Sequence, residues 1–173
     1  LPFPFAAVVA KHRRLPDQFY VMLKPELKRW CQVIWRRQDQ VGVKFINFQL
    51  GGQMSAPDPA ARAKSIAEIM DGMRIAAALG APTVRADVGG RAGEPLDLAI
   101  TADSYKQLVE FGTTIKVMPM PENHGGHSTD PDTLVSIMKA IDPRIRAIVD
   151  WGNFRVENQA QRIESTRKLL PYT

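Results

Sequence analysis

The sequence predicts an α/β fold of parallel strands arranged as a (β/α) barrel. Apolar runs rich in β-branched residues alternate with amphipathic helical patterns, and the alternation recurs about every 30 to 40 residues. No glycine-rich G-x-G-x-x-G or P-loop sequence follows any of the strands, which argues against a dinucleotide or nucleoside triphosphate fold.

The elements can be placed in order. Pro25 opens a helix over 25–38 in which Leu27, Trp30, Cys31 and Ile34 recur at three- and four-residue spacing. VGVKFINFQL, residues 41–50, reads as a buried strand ending at Gly51-Gly52. Asp58-Pro59 then starts a helix with Ile66, Ile69, Met70, Met73 and Leu79 on one face, closed by Gly80. PTVRADVG, residues 82–89, is the next strand, and residues 103–111 form a helix ended by Gly112. TIKVMPM, residues 114–120, predicts a third strand reaching Glu122, and Asp130-Pro131 starts a helix carrying Leu134, Ile137, Met138 and Ile141. RIRAIVD, residues 144–150, predicts a fourth strand with WGNF as its exit loop, followed by a helix over 157–170.

A chain of 173 residues with 45% hydrophobic content fits a single domain over 1–173, large enough to bury a core without staples. The lone Cys31 has no internal disulfide partner and reads as a reduced core thiol, which points to a cytoplasmic setting. LPFPFAAVVA at the start has two prolines and no preceding basic segment, so it predicts neither a signal peptide nor a membrane span. The first residue is not methionine, which predicts processing, trimming or a start lying upstream. The net charge of +5 comes from residues 1–50, which carry nine Lys/Arg against three Asp/Glu. Lys24, Lys28, Arg29, Arg36 and Arg37 are interspersed with apolar residues, the pattern of a solvated helix face more than of a nucleic-acid arm.

In parallel α/β folds the functional groups gather at the carboxyl ends of the strands. Glu122 and Asp150 end consecutive predicted strands, and neighbouring strands lie about 5 Å apart, so the two carboxylates can share one cation. Mg²⁺ or Mn²⁺ suits such oxygens, and an imidazole would shift the preference toward Mn²⁺, Co²⁺ or Zn²⁺. The bland alternative is that each carboxylate caps its loop or meets a surface lysine. His124 stands beside this pair as a substrate contact or a polar wall of the pocket, while His127 reads as solvent-facing and His12 has no supporting context. The H-x-x-H pair of His124 and His127 lies on a Gly-Gly loop, which argues against a helical zinc face. Arg85, a charge in an apolar strand, is either paired inside the barrel or aimed at an anionic group. Asn153 follows Asp150 on the same exit loop, and methionines 70, 73, 118, 120 and 138 read as core filler.

Three segments, GMRIAAALGAPTVRADVG, PENHGGHSTDPDTL and IVDWGNF, resemble the sugar phosphate isomerase/epimerase family, the xylose-isomerase-like TIM barrels. The similarity covers about residues 41–170 and leaves 1–40 unassigned. The resemblance implies that Glu122 and Asp150 are metal ligands with a catalytic part. The substrate implied is a sugar or sugar phosphate, for which His124 and Asn153 would orient hydroxyls and Arg85 would meet a phosphate or the developing negative charge. Such an enzyme isomerises or epimerises through an enediolate or a hydride shift. The family takes a further His and Glu ligand from its last two strands, and the sequence stops at Thr173 without them, so the last two β/α units are expected to be missing. An open sheet edge would then invite association into a homo-oligomer. Two alternatives stand beside the enzyme: a truncated barrel that serves as a binding or assembly module, and a metal-dependent nuclease of the AP endonuclease type. The three histidines are few for the multi-zinc site of such a nuclease.

Overall fold

The computed structural model describes residues 37–38 and 40–173. Most of the helix expected over 25–38 lies outside the described residues, with Cys31, Lys24, Lys28, Arg29, Arg36 and His12.

Three parallel strands, β1 (Asn47–Gln49), β2 (Thr83–Arg85) and β3 (Met118–Met120), form a sheet in the order of the sequence. Phe48 pairs with Val84, and Val84 with Pro119. The α-helices that follow β1 are α1 (Pro59–Leu79), α2 (Leu98–Ile115), α3 (Pro131–Ala140) and α4 (Gln159–Leu169). Sequential neighbours in a parallel sheet, each joined through a helix, are the arrangement of a (β/α) barrel wall.

The helix starts follow from side-chain caps. Asp58 accepts from the amides of Ala60 and Ala61, Asp97 from Ala99 and Ile100, Asp130 from Thr133 and Asn158 from Gln161. At the other end of α1, Gly80 takes the left-handed conformation at φ 78° and closes the helix as expected.

Several boundaries differ from the sequence expectation. The second helix starts at Leu98 and runs through Gly112, which does not end it. A Cβ at Gly112 would collide with the Val117 carbonyl and the end of Met73, so this glycine allows α2 to lie close on the chain entering β3. The helix turns out of its axis at Lys116 instead, at φ 60°. Thr114 and Ile115 are therefore helical, and β3 begins only at Met118. The strand expected over 144–150 is reduced to one parallel bridge between Glu122 and Ile148. The reason is local: on the side that faces β3, the Arg144 amide donates to Asp142 Oδ1 and the Asp150 amide to the Asn123 side chain. Those donors are thereby withdrawn from the ladder.

The core lies between sheet and helices. Ile66, Ile69, Met73 and Ala76 of α1 pack with Val84, Ala86 and Val88 from β2 and its exit. Tyr105 and Leu108 of α2, Leu134 and Ile137 of α3, and Leu169 of α4 complete it. Of the five methionines read as filler, Met73 and Met138 are buried in this cluster, and Met70 and Met118 pack against its edge. Burying side chains of this size is worth about 1.5–3 kcal/mol each.

Alternation along the strands then determines which residues face the other way. Val84, Ala86 and Val88 point to the helices, so Arg85 and Asp87 point to the opposite face. Continuing the β2–β3 register by two residues sets Asp87 level with Glu122, and the bridge sets Glu122 level with Ile148, two residues before Asp150. A polar face is thus built at the carboxyl ends of four successive chain segments.

Candidate active site

Arg85 organises this face. Its Nη1 lies 3.2 Å from Glu122 Oε2, its Nε lies 3.1 Å from Asp87 Oδ1, and Nη1 also donates to Gln49 Oε1 at 3.4 Å. Of the two possibilities for Arg85, the structure has it paired inside the sheet. A guanidinium suits this role because its planar fork serves several oxygens at once. The Nε hydrogen is directed at Leu50 O, 3.0 Å away. Asp87 Oδ1 therefore sits beside the positive charge without an aligned hydrogen bond, and it is buried. Burial pushes the Asp87 carboxyl above the ordinary carboxylate range, against a lowering by Arg85 and then by His124, with a smaller upward push from Glu122.

Glu122 is 4% exposed, and its second oxygen, Oε1, accepts from Asn153 Nδ2 at 3.3 Å. Asp150 is exposed, and its Oδ1 accepts the Gly152 amide at 2.7 Å. The two chain segments are fastened by Asn123, which is fully buried: its Nδ2 donates to Asp150 O and its Oδ1 accepts from Asp150 N, both at 2.7 Å. An asparagine amide thus adds a two-bond rung where the backbone ladder has stopped. Below the face, the Tyr105 hydroxyl donates to Ala86 O at 2.6 Å, between Arg85 and Asp87. Burial pushes this phenol well above its usual range, so it remains a donor.

His124 and His127 separate. His124 keeps about half its side chain exposed, and its Nδ1 lies 3.2 Å from Asp87 Oδ2. His127, expected in solvent, is 5% exposed. Its ring lies over Gly90, where a Cβ would meet Nε2 and Cδ2, and its amide donates to Gly89 O. The missing side chains of Gly90 and Gly126 let the loop after β3 settle on the loop after β2, because a Cβ at Gly126 would meet the Gly89 and Gly90 carbonyls. Asp87, Gln49 and Tyr105 were not singled out by the sequence as site residues, and Asn123, expected from Glu122-Asn123-His124 to face the pocket, is buried against the Asp150 backbone. Asp87 carried a usable signal, since R-x-D at period two puts both charges on one face of a strand.

Among the described residues no cluster of three or more His, Cys, Asp or Glu is placed to hold a metal ion. Glu122 and Asp150 offer hard carboxylate oxygens, the right chemistry for Mg²⁺ or Mn²⁺, but two such groups are part of a coordination sphere and not the whole. No described helix is long and apolar enough to cross a membrane.

Residues 5–171 match the xylose isomerase-like TIM barrel family. The chain belongs to this family. Its fold is shared with a xylose isomerase domain protein from Planctomyces limnophilus at a TM-score of 0.67 and 16% identity, over 84% of this chain and 56% of that one. A D-psicose 3-epimerase, solved in the presence of D-fructose, superposes at 0.65 with 14% identity, over 90% and 58% of the respective chains. The 3-keto-D-glucoside 4-epimerase YcjR from E. coli also superposes at 0.65, with 13% identity, over 94% and 75%. The chain thus spans little more than half of the first two proteins. No curated protein matches its sequence.

Proposed function

We propose that this family member is a divalent-metal-dependent isomerase or epimerase domain acting on a sugar or related polyol. The observation that carries the proposal is the joining of Glu122 and Asp150, on neighbouring chain segments, through the Glu122–Ile148 bridge and the Asn123 amide. In this assignment Glu122 and Asp150 hold the ion, and its remaining ligands come from water, substrate or groups outside the described residues. A bound divalent ion would polarise adjacent substrate oxygens and acidify the neighbouring C–H. Asn153 and His124 hydrogen-bond substrate hydroxyls, and Arg85 balances the negative charge of Glu122 and Asp87. The epimerases that share the fold support a sugar as the substrate class.

The test is a panel of ketoses incubated with the protein and Mn²⁺ or Co²⁺ in deuterium oxide. Turnover with deuterium entering next to the carbonyl supports proton transfer, and turnover without it supports a hydride shift. A folded, metal-loaded protein that converts no member of the panel would sink the enzymatic assignment in favour of a binding module.

A further inference from the structure

The one histidine open to the mouth of the site, among the described residues, is held from behind by a buried carboxylate. His124 Nδ1 lies 3.2 Å from Asp87 Oδ2, and Asp87 is 8% exposed. Asp87 is in turn fixed on its other side, where Oδ1 lies 3.1 Å from Arg85 Nε. Its main-chain surroundings are fixed as well, by the Tyr105 bond to Ala86 O and by the Asp87 amide donating to Gly51 O at 3.2 Å. An ionised carboxylate has no proton to give, so in this contact the hydrogen must come from the imidazole. The tautomer of a histidine is set by the bond made by the nitrogen turned away from the site.

We propose that Asp87 is a positioning residue that locks neutral His124 in the Nδ1–H tautomer and leaves Nε2 as a hydrogen-bond acceptor at the open side of the site. An acceptor there suits a ligand that donates hydroxyl protons, such as a polyol. That last step rests on the proposed function, whereas the tautomer does not.

Asp87→Asn gives a sharp expectation. The substitution is nearly isosteric, and the Arg85 guanidinium beside Oδ1 favours the amide oxygen on its own side. The nitrogen of the introduced amide then faces His124 and can only donate. Nδ1 must become the acceptor and Nε2 must carry the hydrogen, the inversion expected when an asparagine replaces the carboxylate behind a histidine.

The experiment is a long-range ¹H–¹⁵N correlation spectrum of the ¹⁵N-histidine-labelled protein without metal or sugar, at a pH where the imidazoles are neutral. His124→Gln identifies the resonances, and the His127 pattern reports that each variant keeps its fold. The expected result is a protonated Nδ1 and a bare Nε2 for His124 in the wild type, exchanged in Asp87→Asn. A wild-type His124 in the Nε2–H form overturns the proposal by itself, whether or not the variant folds. A folded Asp87→Asn that keeps the wild-type pattern overturns it too. Because the spectrum is recorded without metal or substrate, loss of the isomerase assignment leaves this result standing, and the reverse.

Discussion

Arg85 reaches Glu122 from the neighbouring strand, Nη1 to Oε2 at 3.2 Å, with the two side chains 14% and 5% exposed. The same guanidinium stands beside Asp87, so two largely buried carboxylates depend on one cation.

Removing that cation should therefore cost more than the loss of an ordinary surface pair. Arg85→Leu leaves Glu122 and Asp87 facing each other without compensation, and a loss of about 3–5 kcal/mol is expected. Urea unfolding monitored by circular dichroism measures it. The double variant Arg85→Leu, Glu122→Leu should recover part of the loss, because it removes one stranded charge along with the cation. A single variant within experimental error of the wild type would mean that the pair carries no such weight.

Asn123 is expected to hold the Glu122 and Asp150 segments together. Asn123→Ala removes both 2.7 Å bonds and strands the Asp150 backbone groups, for an expected loss of about 2–3 kcal/mol. The more specific readout is hydrogen exchange at the Asp150 amide, which should lose its protection while the amides inside α1 keep theirs. Unaltered exchange at Asp150 would show that the rung is dispensable.

Asp87 also fixes the sign of a pH effect. Its folded value is raised above the ordinary 3.8, so the folded state binds the proton more tightly than the unfolded chain does. The stability contributed by protonated Asp87 is full below pH 3.8 and is lost as pH rises through the higher folded value. The unfolding free energy of the wild type minus that of Asp87→Asn should accordingly fall as pH rises through this window and then level off. Denaturant melts from acid to neutral pH give the curve directly, and a difference that grows with pH would contradict the assignment.

The parts legible in the sequence are those governed by periodicity and caps. Asp58, Gly80 and Asp130 announced their helix ends because a cap is a local device. Gly112 misled for a physical reason: a glycine that ends a helix and one that lets a helix touch a neighbour look alike in one dimension. His127 misled similarly, since its burial depends on the missing Cβ of Gly90, which only the fold brings beneath its ring. Arg85 was conspicuous as a charge among apolar residues, but its partners Gln49 and Glu122 come from other strands, and only the register brings them together. Asp87 lay two positions away on the same face and was readable from alternation alone.

The proposal that Glu122 and Asp150 share one divalent ion is tested most directly by calorimetric titration of Mn²⁺ into the wild type, Glu122→Gln and Asp150→Asn. Each substitution keeps the shape of the side chain and removes its charge. The expected result is saturable binding to the wild type that either substitution weakens by at least about tenfold, a change of roughly 1.4 kcal/mol. Mn²⁺ affinity unchanged in both variants would contradict the shared site.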